Sequence, residues 1–278
     1  MKKFNISARL KIIFFSIALV SLQLGLELSL GKYFDKDDLL PYIQAFIVAV
    51  VFYISAWIVL RFRRNRAGHL AVILPTALSV FLISAFAYLL FEQLGVRVIY
   101  RTISILGLAV LWGYFYIVLL MVNILFKSIL SPLPLAKAAR TAMYITSVFS
   151  IFIATIILLS LPIHPVFPII LSGLVVLIYV FVNLWFTELR DKDSARLGGL
   201  AASIVMLTVF VLLNWPVSAI FIALLVSIFV YVFIGIVINI LSGTLNRGMW
   251  FEYFLLIFLA TFIILKVSDW GINKIPFI

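Results

Sequence analysis

The sequence predicts an all-α, polytopic integral membrane protein, and three observations predict it. First, 66% of the 278 residues are hydrophobic and only 11% are charged. A water-soluble domain is about 45–50% apolar and about 25% charged, so this chain cannot cover a water-facing surface. Second, the apolar residues form continuous runs of roughly the 20 residues that cross a bilayer as helix. They do not form the alternating segments of about ten residues found in an outer-membrane barrel. Third, the 21 lysines and arginines fall between those runs, in short clusters. Mean hydropathy is +1.29.

Nine runs qualify as spans: residues 12–30, 42–60, 70–91, 102–126, 141–161, 166–186, 200–213, 217–241 and 250–265. The seventh and ninth are short, which keeps eight spans open. The first follows Lys2 and Lys3 like a signal peptide, but it is too long for a typical cleaved one and reads as a retained helix. The second opens after an acidic loop, with Asp38 placed to cap it and Pro41 in its first turn. The third contains Pro75, which should kink it. The fourth and fifth flank the basic residues Lys127, Lys137 and Arg140. Prolines at 162, 165 and 168 force a tight turn into the sixth, and Pro216 does the same between the seventh and eighth. Small residues four apart predict close helix packing: Ala45 and Ala49, Ala109 and Gly113, Gly199 and Ser203, Ala219 and Ala223. No linker or separate polar domain interrupts residues 1–278, which read as a single transmembrane helical bundle.

Placing the amino terminus in the cytoplasm and alternating sides leaves fifteen basic residues inside and six outside. That is the positive-inside bias of a bacterial-type inner membrane, and with nine crossings it puts the carboxyl terminus outside. The run Arg61, Arg63, Arg64 and Arg66 is then a cytoplasmic contact for anionic headgroups. The bilayer is thus the first expected partner. Nucleic acid is not expected, because no polar domain could hold a duplex. The absence of cysteine excludes disulfides and thiolate chemistry. His69 and His164 fall on opposite sides, so no metal is expected, and neither is any other cofactor.

The rare polar residues within spans are the functional candidates. Gln23 and Glu27 lie four apart on one face of the first helix. Glu27 should sit at the outer headgroup level near Lys32, Arg97 or Arg101, with Gln23 hydrogen-bonding a neighbouring helix. A weak repeat runs through "MVNILF", "FVNLWF" and "VINIL", giving Asn123, Asn183 and Asn239. Each follows a tyrosine on about the same helix face: Tyr116, Tyr179 and Tyr231. The stripe serves either as packing contacts between helices or as a polar route open to the cytoplasm.

Asp35 and Asp37, in the first outer loop, form a D-x-D pair. Over those three residues the loop resembles that of membrane glycosyltransferases using polyprenyl-phosphate sugars, where carboxylates hold a divalent metal or act as a base. Those enzymes have longer chains and larger outer loops. A second pair, Asp191 and Asp193, falls on the other side, so the two cannot form one site. Asp35, Asp37, Arg97 and Arg101 remain the outer-face candidates for a headgroup or substrate, and no catalytic residue is assigned.

Three roles follow. A permease or lipid-handling transporter comes first, and a non-catalytic scaffold or subunit packing against a membrane-protein partner is the alternative. A small enzyme acting on a lipid-linked substrate at the outer face is a second alternative and the less favoured class.

Overall fold

The computed structural model describes residues 6–30, 40–60, 66–93, 107–120, 133–161, 164–185 and 191–268. Among these residues there are nine helices and no strand. They are α1 (Ile6–Leu30), α2 (Leu40–Leu60), α3 (Arg66–Gln93), α4 (Gly107–Leu120), α5 (Leu133–Ser160), α6 (Val166–Trp185), α7 (Asp191–Leu213), α8 (Ala219–Leu241) and α9 (Arg247–Val267).

Five stretches are long and apolar enough to cross a membrane: Lys137–Ser160 within α5, and α6, α7, α8 and α9 in full. The two runs that looked short in the sequence are therefore full-length helices of 23 and 21 residues. Hydropathy marks where apolar residues begin, whereas the helix begins earlier, in polar residues suited to its amino end. Asp191 and Asp193 occupy the first turn of α7, where a carboxylate is favoured by unpaired backbone N–H groups. Asn246 caps α9, its Oδ1 accepting from the Met249 N–H at 2.9 Å.

The chain divides into two compact units, Met1–Met143 and Tyr144–Ile278. In the first, α2 packs along α3 and α1 packs along α2. Its core is aromatic: Phe52, Trp112, Phe115 and Tyr116 are buried. Ala45 and Ala49 face inward, as their spacing predicts. The α3 helix runs through Pro75, and the Ser79 hydroxyl donates to the Pro75 carbonyl at 2.9 Å.

In the second unit α6 and α7 make the most extensive pairing. Gly198 faces α6 closely: a Cβ there would lie 3.4 Å from the Leu177 carbonyl oxygen and 3.6 Å from the Phe181 backbone nitrogen. The expected pair Gly199 and Ser203 does not pack this way: nothing lies within 4 Å of a Cβ on Gly199, and Ser203 is exposed. The inward face is one residue earlier, with Gly198, Ala201, Ala202 and Val205 buried. Between α8 and α9 the chain turns at Gly243, whose φ of 66° is left-handed and suits glycine.

Many hydroxyls in these helices bond back to their own helix. Ser16 donates to Ile12, Thr155 to Ile151 and Thr208 to Ile204, each at 2.8 Å. This satisfies the hydroxyl without a neighbour.

Candidate functional site

The stripe on α6 and α8 is built into the second unit. Asn183, near the end of α6, is buried and donates its amide both to the Ser147 hydroxyl on α5 and to the Tyr179 carbonyl one turn earlier, each at 2.7 Å. Tyr179 is itself buried. Asn239, near the end of α8, donates to the Tyr253 hydroxyl on α9 and to the Gly235 carbonyl, both at 2.9 Å. Its Oδ1 accepts from the Thr244 hydroxyl at 2.9 Å. Tyr231 stacks on Tyr144 of α5, ring centroids 5.2 Å apart, and meets Tyr253 edge-on at 6.5 Å. The Tyr144 hydroxyl donates to the Tyr231 carbonyl.

The asparagines therefore do the same work at two places. Each spends one donor on its own helix and one on a neighbour, so α6 is tied to α5 and α8 to α9. The room for the second link comes from Gly235. A Cβ there would fall 2.6 Å from the Tyr253 hydroxyl oxygen.

In the first unit Tyr116 plays the corresponding part. Its hydroxyl is hydrogen-bonded to the Ser55 hydroxyl on α2, and its ring lies 4.7 Å from that of Phe52. Gln23 behaves differently. Its Oε1 is buried and has no hydrogen-bond partner among the described residues. Among the described residues, a side-chain link between α1 and α2 comes from Gln44, whose Nε2 donates to the Leu26 carbonyl at 3.3 Å. Ser84 Oγ and Trp112 Nε1 are likewise buried without a partner among the described residues.

Several candidates lie outside the described residues: Asp35, Asp37, Arg61, Arg63, Arg64, Arg97, Arg101 and Asn123. Glu27 and Arg66 belong to α1 and α3, but their side chains are not among those described. Asp191 and Asp193 stand in the first turn of α7 and are not a free loop pair. Trp185 donates its indole N–H to Asp191 at 3.1 Å, and Arg196 lies 3.9 Å from Asp193 on the exposed surface. Among the described residues no group of three or more His, Asp or Glu side chains converges.

Sequence reasoning missed Ser147, Tyr253, Tyr144 and Gln44. The partner of a buried amide is chosen by which helix lies across from it, and one sequence carries no such pairing. No protein-family model matches the chain, and no curated protein or solved structure matches it either.

Proposed function

We propose that this chain is a multi-pass protein of a bacterial-type inner membrane, crossing nine times from a cytoplasmic amino terminus, and that it serves as a non-catalytic scaffold or subunit. One observation carries the choice of role. Two asparagines that could have lined a polar route are engaged between helices, Asn183 on Ser147 and Asn239 on Tyr253. A buried amide whose donors are both used has little left to offer a passing solute. The basic clusters, Arg61 to Arg66 foremost, contact anionic headgroups and fix orientation.

Thiol labelling tests this role, because the chain has no cysteine of its own. Asn183→Cys and Ser147→Cys, in native membranes, should not react with a small hydrophilic methanethiosulfonate. Rapid reaction at either would mean a water-filled route and would favour transport.

A second reading has its own observation. Gln23 Oε1, Ser84 Oγ and Trp112 Nε1 are three buried polar atoms of the first unit without partners among the described residues. An unsatisfied buried polar group costs about 1–3 kcal/mol, so such atoms invite water or a polar ligand. A permease or lipid-handling transporter would use them. Gln23→Cys should then react with the same reagent while Asn183→Cys stays silent.

A further inference from the structure

The α9 helix is the least covered of the five long apolar stretches: 17% of its most apolar window is buried, against 33–50% in the others. Its buried residues are Tyr253, Ala260 and Ile264, which face its own unit. The opposite face carries Gly248, Phe251, Leu255, Phe258, Phe262 and Leu265, all exposed. These six follow a strict alternation of three and four residues, the spacing of the seam of a two-helix coiled coil. On a helix of 3.6 residues per turn the seam centres about 180° from Tyr253 and Ala260.

Lipid alone explains an apolar outer face, since hydrocarbon is as apolar as phenylalanine. Two opposite charges stand beside the seam as well. Arg247 and Glu252 flank it on opposite sides, both exposed and five residues apart. Within one helix they point about 140° away from each other. Across two parallel helices packed on this seam, a residue meets the one five positions later on its partner. Each Arg247 then faces the other copy's Glu252, and symmetry gives two such pairs. The remaining flanking pairs also match in kind: Phe254 meets Leu259, and Thr261 meets Lys266.

Two copies inserted in the same membrane have the same orientation, so their α9 helices are necessarily parallel. We infer that α9 is the contact surface of a parallel homodimer, packed through the Gly248-to-Leu265 seam and clasped by reciprocal Arg247–Glu252 pairs. The contact is isologous, with its two-fold axis along the membrane normal. The inference rests on the membrane reading above but not on the choice between scaffold and transporter.

Disulfide trapping of the full chain in native membranes tests it. Phe251→Cys and Phe258→Cys should cross-link into covalent dimers under mild oxidation. Trp250→Cys, exposed but off the seam, should not. Adding Glu252→Arg to Phe258→Cys should lower the dimer yield about fivefold, the loss of two surface ion pairs. Adding Arg247→Glu as well should restore it. Equal cross-linking at 250 and 251, or no restoration by the charge exchange, would overturn the homodimer. A carbonate wash of the same membranes separates the two failures. A chain that stays in the membrane but remains uncross-linked defeats the dimer alone, whereas a chain washed off defeats the membrane reading and the dimer with it.

Discussion

Asn239 and Tyr253 are joined at 2.9 Å, amide nitrogen to phenolic oxygen, across the α8–α9 pair. Asn239 is the third residue from the end of α8 and Tyr253 the seventh of α9, so the bond ties the two helices along their packed faces. Measured in a double-mutant cycle with Asn239→Ala and Tyr253→Phe, the coupling should be about 0.6 kcal/mol, and at most about 1.7 kcal/mol. Zero coupling in detergent unfolding would mean that the bond is not formed in solution.

Gly235 should tolerate no larger side chain. Its Cβ would meet the Tyr253 ring and hydroxyl at 2.6–3.3 Å, and that ring is already held by Tyr231 and Asn239. Gly235→Ala should lower stability by about 1–3 kcal/mol, the range for overpacking a filled site. Combined with Asn239→Ala, which frees the tyrosine hydroxyl to move, the loss should be less than the sum of the two. An additive double variant would mean that Tyr253 gives way without disturbing Asn239.

The α6–α7 pairing predicts a contrast between neighbours. Gly198→Leu should destabilise the fold by about 1–3 kcal/mol, because the Leu177 backbone stands in its way. Gly199→Leu should change stability by no more than about 0.5 kcal/mol, since open space surrounds it. Thermal unfolding of the two variants side by side distinguishes the registers. The reverse order would place α7 one residue out of rotation.

That contrast also shows where the sequence stops being legible. Helix positions followed directly from hydropathy, because a run of apolar residues must be helical to cross lipid. Helix rotation did not. A helix that is apolar all round carries no polar face to mark its outside, so "GG" at 198–199 offered two equivalent packing registers and the wrong one, Gly199 with Ser203, looked as good as the right one. The stripe of Tyr179, Asn183, Tyr231 and Asn239 was visible as a repeat. Its partners Ser147 and Tyr253 were not, because they lie on helices running the other way and share no spacing with it.

Asn183→Leu removes one cross-helix donor from a buried site and should cost about 0.6 kcal/mol, leaving the chain inserted and folded. A large loss of membrane-inserted protein would show that the asparagine guides folding as well as holding α5 against α6.

Orientation is tested most directly by cysteine labelling from outside intact cells or right-side-out vesicles. Lys36→Cys and Lys274→Cys should react with an impermeant thiol reagent, and Arg64→Cys should react only after the membrane is opened. Those three results together fit nine crossings from a cytoplasmic amino terminus. Labelling of Arg64→Cys from outside would contradict the orientation. Protection of Lys274→Cys alone would contradict the ninth crossing.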